Sequence, residues 1–489
     1  MQSGRAAHPR IIQGGMGVAV SGWKLAKEVA SAGELGVVSG TGLSQVFAQR
    51  LQDGDADRAL RRALDHFPDR NVASTILAAH FNKPRTSGRR AVRGVPMYTL
   101  SPSDDLLRLT VVATFCEVWL AKEGHDGLVG INLLEKVQLP NLASIYGAML
   151  AGVDFVLMGA GIPREIPGAL DNFALHHAAS IKVSVDGATA DDNVQITLDP
   201  RRLFTIAFEP LKRPKFLAIV SSDVLAEALL KRANGTIDGF VIENERAGGH
   251  NAPPRGALRL TEFGEPIYGP RDAVNLDTLR SLGLPFWLAG DQASPEHLSA
   301  AVAAGAQGIQ VGTAFAFCAE SGLAPHLREG ILRDVANGRA ELFTDPNASP
   351  AGFPFKVVRF GGTISDPDMY AMRPRLCQYG LLRQAYKRPD GSIGYRCPAE
   401  PVESYVQKGG NIEDTIGKKC LCNALMANID LPQEQLSGYI EKPLVTAGDS
   451  IRRLGRFLHN GSLHYSARDV LEYLCGVCTP TPAVIASGS

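Results

Sequence analysis

The residues best suited to chemistry cluster at the ends of apolar runs. His250 closes the run Glu243-Asn244-Glu245-Arg246-Ala247-Gly248-Gly249-His250. A neutral imidazole there could take a proton from a carbon acid, and its protonated form could supply one to a developing carbanion. A lone histidine is more often a packed or surface residue, and what raises this one is its place after two glycines at a strand end. Gly290 to Ser294 and Gly312-Thr313 follow two further apolar runs. Backbone N–H groups left uncovered by small residues can hold a phosphate, although the same glycines also serve plain tight turns. Gly14-Gly15-Met16-Gly17 would let a flat ring lie against the backbone. Late in the chain, Cys377, Cys397, Cys420 and Cys422 offer four thiols, which could ligate a metal centre or be buried free thiols. Cys475 and Cys478 form a C-x-x-C without a partner pair and read as incidental.

Positioning these residues calls for a repeated strand–helix framework. Eight apolar, β-branched-rich runs recur: Ile11–Gly15, Gly36–Gly40, Leu128–Asn132, Asp154–Gly159, Phe216–Val220, Gly239–Glu243, Pro285–Gly290 and Gly308–Gly312. Continuous rather than alternating hydrophobicity marks strands buried on both faces, as in parallel sheets. Helical patterns lie between them; Ser21 is placed to cap one over residues 23–30, and Ser294-Pro295-Glu296 to open one ending at Ala304. Eight strands and no G-x-G-x-x-G after the first predict a (β/α)8 barrel over an open doubly wound sheet. The barrel is expected over residues 9–340, with insertions near 43–125, 160–214 and 251–280 that follow strands two, four and six and so stand on the C-terminal face. A C-terminal, mainly helical region over 341–489 should cap the site.

Composition narrows the class of protein. Lys plus Arg and Asp plus Glu are 50 each in 489 residues, so no net field draws the chain to nucleic acid or anionic lipid. Glycine is enriched at 51 residues, matching a fold with many tight turns at strand ends. No secretory signal and no spanning apolar stretch are read, so a cytoplasmic location is expected, and a homodimer is permitted.

Together, Ile12-Gln13-Gly14-Gly15-Met16-Gly17, Glu245-Arg246-Ala247-Gly248-Gly249-His250, Leu288-Ala289-Gly290 and Gly308-Ile309-Gln310-Val311-Gly312-Thr313 resemble the signatures of the nitronate monooxygenase (2-nitropropane dioxygenase) superfamily of FMN barrels. Ala348 to Lys356, Gly394 to Pro401 and Lys418 to Met426 resemble the PfaD-type trans-acting enoyl reductases of polyketide and polyunsaturated fatty acid synthases. The resemblance implies FMN, with its phosphate on Gly290, Gly312 and Thr313, its ring near Gly14, Gly15 and Met16, a contact from Asn132, and Gly248, Gly249 and His250 beside it. Asp291 stands where the family has a second glycine, and a carboxylate there repels a phosphate unless it turns away. The same resemblance implies NAD(P)H as reductant, an acyl-carrier-protein-bound enoyl thioester as substrate, and His250 as proton donor. Nitronate oxidation with O2, a dehydrogenase–isomerase with a [4Fe–4S] cluster on the four late cysteines, and a non-catalytic synthase partner are the alternatives.

Overall fold

A computed structural model describes residues 8–81, 94–435, 437–459 and 461–476. Cys478 lies outside the described residues. Eight strands form one sheet: β1 (Ile11–Gln13), β2 (Gly36–Ser39), β3 (Val129–Leu134), β4 (Phe155–Gly159), β5 (Lys215–Val220), β6 (Gly239–Glu243), β7 (Phe286–Ala289) and β8 (Gly308–Val311). Neighbours run parallel in the order β1-β8-β7-β6-β5-β4-β3-β2. Leu35, just before β2, closes the ring against β1: Leu35 N donates to Ile11 O (3.1 Å), and Gln13 N donates to Leu35 O (3.0 Å). The expected (β/α)8 barrel is what forms.

Burial on both faces explains the continuous apolar runs. Ile12, Val37, Leu157, Leu217, Val241 and Trp287 pack with one another as one buried set. Their sequence neighbours Ile11, Val38, Val156, Phe216, Phe240 and Phe286 belong to the second, larger set, which the helices share. Side chains alternate along a strand, so both faces must be apolar when both are covered.

Local capping follows the sequence at one helix and departs from it at another. Ser294 caps helix Pro295–Ala303 by accepting from His297 N at 3.2 Å. Ser21 does not cap helix Trp23–Ser31, whose N-cap is Gly22. Its hydroxyl instead accepts from Met16 N (2.9 Å) and donates to Gly14 O (2.8 Å), while Glu117 Oε1 accepts from Trp23 N (2.6 Å). A distant carboxylate frees the serine to fasten the first glycine loop.

Among the described residues beyond 340 are short helices and four short strands, Glu341–Asp345, Phe355–Arg359, Gln384–Lys387 and Ile393–Arg396. It is woven into the barrel's additions. Strand Phe355–Arg359 pairs antiparallel with Gly249–His250, and Gln384–Lys387 pairs parallel with Val185–Asp186. No helix among the described residues is long and apolar enough to cross a membrane.

Candidate active site at the C-terminal face of the barrel

A cavity of about 1120 Å³ opens at the C-terminal ends of the strands. Gly14, Gly15, Met16, Asn132, Gly248, Gly249, His250, Gly290, Asp291, Gly312 and Thr313 all line it. Residues spread over some 300 positions thus meet in one space, where barrel sites are built.

Close backbone approach fixes the glycine rim. A Cβ on Gly15 would stand 2.3 Å from Asn132 Cβ, and Asn132 Nδ2 donates to Gly15 O at 3.0 Å. Gly290 has φ +88°, and a Cβ there would stand 1.9 Å from Asn244 Oδ1. Behind the first loop, buried Gln13 accepts from Val37 N at 2.9 Å through Oε1 and donates to Gly14 O through Nε2. Three side-chain oxygens of cavity-lining residues, on Asn132, Asn251 and Gln310, are buried without a hydrogen-bond partner. Buried acceptors are normally satisfied, so these three call for donors from a ligand.

His250 sits among aromatic rings supplied from beyond the barrel. Phe355 lies edge-on at 4.8 Å and Phe353 at 5.8 Å between ring centroids. Its Nε2 is 2.7 Å from Ser349 Oγ, and Ser349 is fully buried. Ser349 Oγ also accepts from Ala351 N at 3.1 Å, so the serine is itself held. His250 itself lines the cavity. Burial pushes the His250 pKa down to about 4, so the ring is neutral at pH 7. Although enclosed, His250 keeps some exposed surface and lines the cavity.

Sequence reasoning missed several residues. Glu243 ends β6 and lines the same cavity, and burial alone pushes its pKa up to about 7. A charged residue at the end of an otherwise apolar buried strand was the available signal. Gln310 occupies the corresponding kind of position on β8. Asp291 turns its carboxylate to Arg453 rather than into the glycine rim, and Arg246 Nη1 stands 3.9 Å from its other oxygen. Thr313 Oγ1 accepts from Gly448 N at 2.8 Å, which leaves its hydroxyl proton to donate elsewhere.

The four late cysteines are also brought together, around a separate small cavity. Cys422 borders both cavities. Burial raises the thiol pKa values, that of Cys420 to about 11 with the nearby Arg373 charge pulling back, and that of Cys422 further through the neighbouring Cys420, Cys377 and Cys397. Among the described residues, no group of three or more His, Cys, Asp or Glu side chains is drawn together tightly enough to hold a metal ion.

Fold and cavity together define a (β/α)8-barrel protein with a ligand site on its C-terminal face. Residues 165–338 match the sequence model of a family described as nitronate monooxygenase. The probable nitronate monooxygenase of Bacillus subtilis (strain 168) is 34% identical over 126 residues, which make up 26% of this chain and 34% of that relative. The chain thus spans about a third of that relative's length. Over these segments the resemblance read from the motifs is borne out. FabK from Thermotoga maritima aligns with a TM-score of 0.47 at 16% identity, covering 96% of this chain and 92% of that one. The enoyl reductase domain of MlnA, from the macrolactin biosynthesis cluster of Bacillus amyloliquefaciens, aligns with a TM-score of 0.47 at 12% identity, covering 96% and 94%.

Proposed function

We propose that this chain is an FMN-dependent oxidoreductase, namely a trans-acting enoyl reductase that takes NAD(P)H as reductant and an acyl-carrier-protein-bound enoyl thioester as substrate. The observation that carries the reading is the single cavity in which bare glycine backbone meets three unpaired amide oxygens and one enclosed histidine. These groups fit a flavin, whose ring N–H and ribityl hydroxyls are donors and whose phosphate is an acceptor. Bound FMN supplies hydride transfer from the nicotinamide to the β-carbon of the thioester.

The chain's residues have these roles in the proposal. Gly290, Gly312 and Thr313 hold the phosphate, Gly14, Gly15 and Met16 lie against the ring, and Gly248 and Gly249 let the backbone pass close to it. Asn132 and Gln310 accept from the ligand's donors. His250, oriented by Ser349, handles the proton at the α-carbon. Glu243, protonated about half the time near pH 7, is a second proton-carrying group in the same cavity. A pocket for one drug-sized ligand takes about 300–1,000 Å³. The larger volume here leaves room for an acyl chain beside the flavin. In this reading residues 9–340 carry the flavin site and 341–489 cap it, in a cytoplasmic protein that can form a homodimer.

Two specific observations favour second readings. The matched family's description supports nitronate oxidation with O2, in which neutral His250 would abstract the proton next to the nitro group. Four thiols around one small cavity, with Cys422 touching the main one, are the observation behind a dehydrogenase–isomerase with a [4Fe–4S] cluster, for which no group placed to hold a metal ion is found among the described residues. A non-catalytic synthase partner would be favoured by a carboxylate that keeps phosphate out, and the Asp291 carboxylate is instead engaged by Arg453.

The test is a purified yellow protein reduced anaerobically with NADPH and then given a crotonyl carrier protein. Return of the oxidised flavin absorbance is expected, and no return overturns the proposal. Oxygen uptake with alkyl nitronates and no response to NADPH would establish the monooxygenase instead. Iron and acid-labile sulfide in anaerobically purified protein would establish the cluster.

A further inference from the structure

Asp291 occupies a backbone conformation that favours glycine, with φ +59°, at the end of β7 beside the expected phosphate position. A carboxylate in that place would oppose a phosphate by like-charge repulsion. Its side chain is only 7% exposed and is occupied on both oxygens: Arg453 pairs with Oδ1, and Arg246 Nη1 lies 3.9 Å from Oδ2. The two arginines come from different parts of the chain. Arg246 stands in the loop after β6 and lines the cavity, with 58% of its side chain exposed. Arg453 lies on the 3₁₀ helix Asp449–Phe457, which starts beside Thr313 through the Gly448 N–H and is tied to the Arg246 loop by Asp449 N donating to Arg246 O at 3.0 Å. Asp449 is itself paired with Lys356 at 2.7 Å. One carboxylate and two guanidiniums leave this triad with a net charge of +1.

We propose that Asp291 is an anchor rather than a phosphate ligand: Arg453 neutralises its carboxylate, Asp291 in turn steadies Arg246 at the cavity wall, and the Arg246 guanidinium binds the phosphate monoester of the flavin mononucleotide. This rests on the flavin reading above and adds to it the cation that the glycine rim lacks. A planar guanidinium suits a phosphate because two N–H groups can meet two oxygens at once. Arg246 keeps that fork available, since its contact with Asp291 is at the edge of ion-pair range while Arg453 makes the close one.

The experiment titrates flavin-free full-length protein with FMN and with riboflavin, which lacks the phosphate, following quenching of flavin fluorescence. Arg246→Ala should weaken FMN about 30-fold, or about 2 kcal/mol at 1.4 kcal/mol per tenfold, and leave riboflavin unchanged. Arg246→Lys should recover part of the loss. Arg453→Gln should also weaken FMN selectively, by leaving Asp291 uncompensated, and adding Asp291→Gly to it should recover part of the loss, since the repulsion is removed together with the anchor of Arg246. Equal losses for both flavins, an unchanged FMN affinity in Arg246→Ala, or an Asp291→Gly/Arg453→Gln double variant no better than Arg453→Gln overturns the proposal. So does an Arg246→Ala effect seen only on NADPH affinity, which would give the guanidinium to a different phosphate. Wild-type protein that takes up neither flavin refutes the cofactor reading itself, and the anchor falls with it.

Discussion

Acid titration of the cavity should reveal two opposed groups. His250 has its pKa pushed down to about 4 and Glu243 pushed up to about 7, both by burial. An unfolded histidine titrates near 6.5, so between pH 6.5 and 4 the unfolded chain binds the extra proton and stability falls on acidification. An unfolded glutamate titrates near 4.5, so between pH 7 and 4.5 the folded chain holds the extra proton and stability rises on acidification. From pH 7.5 to 5 linkage gives a loss of about 2 kcal/mol through His250 and a gain of about 2 kcal/mol through Glu243. These are upper figures, because each side chain keeps some surface open to the cavity. In the wild type the two nearly cancel. His250→Gln should therefore gain stability relative to wild type on going from pH 7.5 to 5, and Glu243→Gln should lose it. With an unfolding entropy of about 2.1 cal/mol/K per residue over 489 residues, each change moves the melting temperature by about 2 °C, in opposite directions. Scanning calorimetry of the three proteins at both pH values reads this directly. Two variants that shift in the same direction would refute the assignment of opposed buried groups.

Three further perturbations follow from the geometry. Ser349→Ala removes the partner of His250 Nε2 and should lower kcat about tenfold with little change in KM, since substrate contacts are left in place; a pure KM effect in steady-state assays would speak against a positioning role. Gly15→Ala places a Cβ 2.3 Å from Asn132 Cβ and should abolish tight flavin binding while the protein still melts cooperatively, as read by flavin retention through gel filtration. Arg373→Ala leaves fully buried Glu441 without its partner and should destabilise the fold by about 3–5 kcal/mol, a drop of several degrees in the melting temperature.

Much of the barrel was legible because its strands are buried on two faces, and a two-sided strand cannot hide in a polar pattern. Each of the eight apolar runs became a barrel strand within a residue or two of its expected span. The glycine rim was legible for a related reason: a backbone that must pass within contact of Asn132 or Asn244 admits no side chain, which leaves Gly15 and Gly290 as marks in the sequence. Ser349 was not legible as a partner of His250. The two are 99 residues apart and meet only because Gly249–His250 pairs with Phe355 and Lys356 in a three-stranded sheet outside the barrel. Ser21 shows the converse failure, since a serine one residue before a helix cap looks like a cap until a carboxylate 94 residues away takes the Trp23 N–H. Arg453 could not be assigned from sequence at all; its role depends on where a late 3₁₀ helix docks.

The chemistry of the site is a joint property of the barrel and the chain after it. Barrel strands and the loops that follow them supply the glycine rim, Glu243 and the amide oxygens, but three ties come from beyond residue 340: Ser349 to His250, Gly448 to Thr313 and Arg453 to Asp291. The aromatic rings that enclose His250, Phe353 and Phe355, come from there as well. Burial is what lowers the His250 pKa, and no barrel strand contributes those rings. The late chain therefore does more than cover the cavity: it helps to set the protonation state of His250 and neutralises the Asp291 carboxylate at the cavity wall.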